Sequence, residues 1–434
     1  MSGEQRTTIE LESVSEESES ESEDGNGNGD HWSMFVAGDY ALSRDEPPTA
    51  ERSVSRALRE RIDATDVSVV NFEAPIVADD ARAVDKSGPA IDNPAEAAAA
   101  VADAGFDVCT LANNHVRDFG PDGVASTVEA LEAVGCETVG VGESHDAAFD
   151  PLEIACGGAS IGLVNVCERE FNIAGENSHG AAWLSDRRAR EAIRDADREF
   201  DTVIVVAHAG AEYVPFPAPE LQGLLREFVD IGADLVLGHH PHVPQGWETY
   251  GDGAIFYSLG NFLFDSMADS ENASWGLALE IEFDGPTPVT IELVPTETIG
   301  GVVHPLGQVR DLDDHLAYLH RLSELTGDSE TLEPYWQEIA IQLFYERYSN
   351  WLHMGCGVNL SRARSAPNDP AVQRPIWDLE ARRKEILALL TIVRMESHRW
   401  VMTKALAVLT GETTDLRTPE SREEAQLLLS RTAR

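Results

Sequence analysis

From Met34 onward, short runs rich in Val, Ile and Leu alternate with Ala-rich or amphipathic stretches, and that alternation restricts the chain to a layered α/β fold. The runs Met34–Ala37, Val67–Val70, Val108–Leu111, Ile161–Val166, Val203–Ala207, Leu235–Leu237 and Ile255–Tyr257 read as strands. Between them Ala95–Ala104, Val124–Val134, Asp186–Glu199 and Leu221–Ile231 read as helices. Trp275–Phe283 and Val289–Val294 flank Asp284-Gly285-Pro286 and predict an antiparallel hairpin. After about Pro305 strand-like runs stop, and Leu312–Leu325, Tyr335–Leu352, Ile376–Thr391 and Ser397–Leu409 read as helices. Residues 306–434 are therefore expected to be a helical C-terminal extension, packed on the core or forming a small second domain.

Polar clusters recur where the strands end. Gly38-Asp39, Asn71-Phe72-Glu73, Asn113-Asn114-His115 with Asp118, His208 with Glu212, Gly238-His239-His240-Pro241-His242 and Gly260-Asn261 each follow a strand-like run. Sites in open α/β sheets form beyond the carboxyl ends of the strands, so these clusters are expected to converge. Alone, most carry little: a Gly-Asp pair is usually a turn, and a single histidine is more often a hydrogen-bonded core residue. Three histidines in the four residues 239–242 are different, because burying them without a task is costly. His240 and His242 alternate, and in an extended chain both face one side. Asp, Glu, Asn and His are hard or borderline donors suited to one or two divalent cations such as Mn²⁺, Fe or Zn²⁺. Two such ions can bind a phosphoryl oxygen and activate water.

Charge narrows the partners. The net charge is −45, of which residues 1–30 carry −9, leaving −36 on the rest. An acidic body argues against nucleic-acid binding through a basic face. With Lys86, Lys384 and Lys404 as its only lysines, the chain has the composition of a protein kept soluble at molar salt. Residues 1–30 are rich in Ser and Glu, poor in apolar groups, and expected to be a disordered acidic tail. They contain no apolar signal segment, and Ile386–Val393 is too short to span a bilayer, so a cytoplasmic location without a membrane span is expected. The five cysteines, Cys109, Cys136, Cys156, Cys167 and Cys356, show no C-x-x-C spacing and read as reduced, mostly buried thiols.

The motifs taken together resemble the CapA family of capsule and poly-γ-glutamate biosynthesis proteins, itself similar to calcineurin-like metallophosphoesterases. The resemblance runs from about Met34 to Pro295 and includes Leu111-Ala112-Asn113-Asn114-His115-Val116-Arg117-Asp118-Phe119-Gly120 and Tyr257-Ser258-Leu259-Gly260-Asn261-Phe262. It implies a layered metallophosphoesterase-like β-sandwich flanked by helices over residues 31–305. It also implies roles. Asp39 resembles the first metal-ligating Asp, Glu73 stands at the bridging carboxylate, and Asn114 resembles the ligating Asn. His208 and His240 resemble ligands of one metal and His242 a ligand of the other, with His239 ranked lower. His115 resembles the proton donor, and Asp118 and Glu212 are candidates to orient it or to support the metal ligands from behind. One departure stands out: Asp39-Tyr40-Ala41 lacks the Asp-x-His histidine, removing a nitrogen ligand. Two functions follow. One is a metal-dependent hydrolase acting on a phosphoester or anionic polymer in capsule or poly-γ-glutamate synthesis. The other is a non-catalytic binding or assembly component of such a machine.

Overall fold

The computed structural model describes residues 7–11, 31–42, 53–264, 273–356 and 382–432. Its strands are β1 (Thr8–Glu10), β2 (His31–Ala41), β3 (Val67–Phe72), β4 (Val108–Thr110), β5 (Glu137–Val139), β6 (Val141–Gly142), β7 (Leu152–Cys156), β8 (Ala159–Cys167) and β9 (Gly180–Ala181). They continue as β10 (Thr202–His208), β11 (Leu235–His239), β12 (Trp247–Tyr250), β13 (Gly253–Phe256), β14 (Asn261–Phe264), β15 (Trp275–Asp284), β16 (Thr287–Ile299) and β17 (Val302–Pro305). One sheet has the order β1-β16-β15-β2-β3-β4-β5, with β14 continuing beside β2 and β17 beside β16. The other runs β12-β13-β11-β10-β8-β7, and β6 pairs with β9. Parallel strands, β2-β3-β4-β5 in the first sheet and β8-β10-β11-β13 in the second, form the centres.

The two-residue side-chain period builds the layers. In β2, Trp32, Met34 and Val36 face a core shared with Ile161, Leu163, Val205 and Val236 of the second sheet. Phe35 and Ala37 face the other way, against α1 (Arg56–Ile62), α2 (Ala97–Asp103) and α3 (Gly120–Glu132). Strands β8, β10 and β11 are buried along nearly their whole length, which is why their sequences read as continuous Val/Ile/Leu runs. Outside them lie α4 (Arg187–Glu199) and α5 (Pro219–Asp230). Helix α4 buries Ala189, Ala192, Ile193 and Ala196, an i, i+3, i+4, i+7 stripe, and its Asp186 cap accepts from Arg188 N at 2.9 Å. This is the expected layered sandwich with helices on its outer faces.

The C-terminal part is helical, as expected: α6 (Leu312–Thr326), α7 (Ser329–Leu343), a π-helical turn at Phe344–Tyr348, α8 (Ser349–Cys356), α9 (Arg383–Arg394), α10 (Glu396–Thr410) and α11 (Pro419–Ser430). Leu316, Leu319, Trp336, Ile339, Val401 and Ala405 belong to the same buried cluster as the inter-sheet core, so these helices pack on the sandwich. Helix α7 begins six residues before the expected Tyr335, because Asp328 caps it through Glu330 N. Helix α11 was not foreseen. Thr418 and Ser421 start it with a reciprocal capping box.

Other expectations change. Thr8–Glu10, expected in the disordered tail, pairs with Thr290–Glu292 at the sheet edge, and Ile9 and Leu11 pack against the core. Too few apolar residues stand there to signal a strand; the exposed edge of β16 recruits it. Residues 1–6 and 12–30 of that tail, and the 376–381 start of an expected helix, lie outside the described residues. Cys109, Cys136 and Cys167 are buried free thiols, and Cys156 is half-buried. Among the described residues no helix is long and apolar enough to cross a membrane.

Candidate metal centre

Both sheets end on one spot. Asp39 lies near the end of β2, Glu73 follows β3, Asn114 follows β4, His208 ends β10, and His240 and His242 follow β11. Close backbone approach brings the two sheets together there. A Cβ on Gly38 would sit 2.1 Å from the Gly260 carbonyl oxygen, and one on Gly238 would sit 2.0 Å from that of Tyr257. Only glycine leaves room at these crossings.

Asp39 is fully buried and is held from several sides. Asn71 Nδ2 donates to Asp39 Oδ1 at 2.7 Å, and His239 Nδ1 lies 3.2 Å from the same oxygen. His242 Nδ1 is 3.5 Å from Oδ2, and His208 Nδ1 is 3.9 Å from Oδ1. Burial works against this carboxylate, but hydrogen bonds from His239 and His242 outweigh it and hold the group well below the usual range. Around His208 Nε2 stand Asn114 Oδ1 at 3.0 Å, His240 Nδ1 at 3.1 Å and Glu73 Oε1 at 3.7 Å. Glu73 Oε1 is also 3.9 Å from His242 Nε2 and 4.0 Å from His115 Nε2.

Glu73 tests whether this set fits a cation. Both of its carboxylate oxygens are buried and make no hydrogen bond among the described residues. Burial first, then the charge of Asp39, pushes its carboxyl up to about 8. This carboxylate, shielded from water, meets the ring nitrogens of His208, His242 and His115 only at 3.7–4.0 Å, beyond hydrogen-bond length, and against burial its charge helps push the His242 ring up to about 10. Atoms bound at about 2.0–2.2 Å to one ion stand roughly 3–4 Å from one another, the spacing found here. Two overlapping ligand groups arise, Asp39/Glu73/His208 and Glu73/His240/His242. Glu73 is common to both. The donor set is O and N without thiolate, and it fits one or two divalent cations. His240 stands against both histidines, with ring centroids 4.8 Å from His208 and 6.0 Å from His242.

Other expected site residues fall as follows. His115 Nδ1 lies 2.7 Å from Asp118 Oδ2, and Asp118 Oδ1 accepts from the buried Lys86 ammonium at 2.7 Å. Asp118 is therefore placed to orient the His115 ring. Burial, reinforced by Lys86, holds the His115 ring below its ordinary value despite Asp118. Glu212 is not on His115; it lines the same cavity and faces Arg347 at 3.9 Å. His240 and His242 do face one site, but not through extended backbone. Their φ values are 96° and 59°, in the left-handed region, and these turns swing both rings inward. At Ala41, where the Asp-x-His histidine is missing, the side chain packs with Ala74 and Phe264. His239 supplies a nitrogen beside Asp39 instead.

Three contributors had no role assigned from sequence. Glu168 Oε1 is 3.0 Å from His240 Nε2, Asn261 Oδ1 is 2.9 Å from His242 Nδ1, and Asn71 bonds Asp39. Glu168 directly follows β8, so the same strand-end rule was available to find it.

A family model described as bacterial capsule synthesis protein PGA_cap matches residues 33–266. The capsule biosynthesis protein CapA of Bacillus anthracis is 31% identical over 245 residues, 54% of this chain and 60% of that protein. The PGA biosynthesis protein CapA of Bacillus subtilis (strain 168) is 30% identical over 242 residues, 54% of this chain and 63% of that protein. The chain thus spans about three fifths of the length of these relatives. A solved hypothetical protein from Thermus thermophilus matches at 19% identity and a TM-score of 0.40, over 62% of this chain and all of that one.

Proposed function

The chain belongs to the PGA_cap family of bacterial capsule synthesis proteins, and on that premise we propose that it is a metal-dependent hydrolase acting in the synthesis of a capsule or poly-γ-glutamate type of anionic polymer. Its bond would be a phosphoester or a related linkage. The observation that carries the reading is Glu73, a buried carboxylate without hydrogen bonds that stands between Asp39, His208, His240 and His242. Asp39, Glu73, Asn114, His208, His240 and His242 would hold the cations, and His239 stands beside Asp39 as a further donor. When bound, such cations supply Lewis acidity and stabilise charge developing on a reacting oxygen.

The chain's own groups do the rest. Asp118 accepts from His115 Nδ1 and fixes the ring, which leaves Nε2 as the proton-exchanging atom at the cavity. Burial keeps the ring neutral at rest. An anionic substrate beside it favours the imidazolium, which then donates to the leaving oxygen. Lys86 stands against Asp118 from the other side and offsets its buried charge, sharing its ammonium with Glu170.

The test separates ligand from proton donor. Purified wild-type, His240→Ala and His115→Ala proteins are assayed for metal content and for turnover of phosphoesters and anionic polymers. His240→Ala should lose metal and activity together. His115→Ala should keep metal and slow turnover by roughly 10²–10⁴-fold. A wild type that binds metal but cleaves no substrate class would favour a binding or assembly role. That alternative draws on Ala41, which leaves the first motif without its histidine.

A further inference from the structure

The cavity over the centre, about 470 Å³, has walls of two origins. Asn114, His115 and His242 line it from the region matched by the family model, whereas Arg347, Trp351 and His398 come from the C-terminal helices outside that region. The volume suits a small organic ligand or one end of a polymer. Two side-chain cations, Lys86 and Arg347, line it among the described residues. Lys86 is buried, with its ammonium 2.7 Å from Asp118 Oδ1 and 3.2 Å from Glu170 Oε2, so its charge is committed. Arg347 is different. Its side chain is 32% exposed, its ion pair with Glu212 spans 3.9 Å, longer than a hydrogen bond, and a further polar neighbour is the uncharged Tyr348 hydroxyl. Its guanidinium lies 5.8 Å from the Trp351 ring centroid. It sits on the π-helical turn Phe344–Tyr348, and the adjacent Tyr348 hydroxyl is 2.6 Å from His398 Nδ1, which ties that turn to α10. Such turns recur at functional positions.

We propose that Arg347 is the substrate-binding cation of this cavity and takes an anionic oxygen group, carboxylate or phosphate, of a molecule whose reacting bond lies over the metal centre. The proposal rests on the reading of that centre as a substrate site. A chain of net charge −45 repels anions at long range, so an anionic substrate needs local attraction at its destination. A guanidinium provides it in a planar fork that matches either group. Glu212 holds Arg347 loosely in place and gives way to the incoming anion. The C-terminal helices thereby select the substrate, while the matched region carries the chemistry.

The experiment is calorimetric titration of the full-length, Mn²⁺-loaded protein with two probes, inorganic phosphate and a short γ-linked glutamate oligomer, at the lowest salt that keeps it folded. Wild type should bind at least one probe, and which one distinguishes a phosphate from a carboxylate ligand. Arg347→Met should weaken that binding about 10–100-fold, the reach of a charge-assisted pair. Arg347→Lys should recover part of it, and Glu212→Gln should tighten it. Unchanged melting temperatures show that the variants fold. Binding of neither probe by wild type, or equal binding by wild type and Arg347→Met, overturns the proposal. Failure of the hydrolase reading looks different: wild type binds the probe through Arg347 but turns over no ester. Conversely, turnover with a KM unmoved by Arg347→Met overturns the role of Arg347 and leaves the hydrolase.

Discussion

Nε2 of His240 lies 3.0 Å from Glu168 Oε1, and the same carboxylate accepts from Ser397 N at 3.0 Å and Ser397 Oγ at 3.1 Å. The first turn of α10 thus braces a carboxylate that braces a candidate metal ligand. Carboxylates placed behind ligating histidines fix the ring and raise its basicity. Glu168→Gln should therefore lower Mn²⁺ or Zn²⁺ affinity by about 10–100-fold without unfolding the protein. Calorimetric metal titration beside a thermal melt checks it, and an unchanged affinity would remove Glu168 from the centre.

Proton and cation compete for Glu73. Its carboxyl is raised to about 8 by burial and by Asp39, above its usual 4.5. Between those values the folded state binds more protons than the unfolded one, so the Glu73 contribution to stability falls as pH rises through that window. A bound cation reverses the balance because it needs the ionised form. The metal-induced rise in Tm should accordingly be larger at pH 8 than at pH 5.5, and Glu73→Gln should flatten that difference. Equal shifts at both pH values in wild type would contradict this account.

Salt should govern stability. The charge of −36 on residues 31–434 repels itself across a surface with three lysines in the whole chain. At about 1 M salt the Debye length is roughly 3 Å, and this repulsion is largely screened. Thermal melts from low to molar salt should show Tm rising steeply. A flat profile would mean that the acidity serves another purpose.

The N-terminus should split into two parts on truncation. Deleting residues 1–6 should leave stability unchanged. Deleting 1–11 removes β1, the Leu11 N to Val289 O bond at 3.0 Å and the packing of Ile9 and Leu11, at a cost of about 1–3 kcal/mol. Metal content should stay intact in both, since β1 lies at the far edge of its sheet from β2. Denaturant titration of the two truncations measures the difference.

Much of this protein is legible in its residues because the rules involved are local. Strand and helix periods are set by neighbours two, three or four positions apart, so the parallel strands and helices α2 to α5 follow from the run Val203–Ala207 and stretches like it. Polar residues at or after such runs, Asp39, Glu73, Asn114, His208 and His240, point to a candidate site because parallel strands within each sheet end on the same side. The capping box of α11 was equally local and was overlooked.

What the residues alone did not contain is the pairing of parts far apart in sequence. That Glu73 joins both ligand groups, that His239 stands beside Asp39 where Ala41 lacks a nitrogen, and that Glu168 meets both His240 and Ser397 depend on how two sheets and α10 pack. Nor does the alternation of His240 and His242 reveal their positive φ. The sequence by itself determined the layers and the donor types, since those rest on side-chain chemistry and short-range period. Only the tertiary structure decided which donors stand together and which helices wall the cavity, because packing free energy, not local propensity, selects among contacts between distant segments.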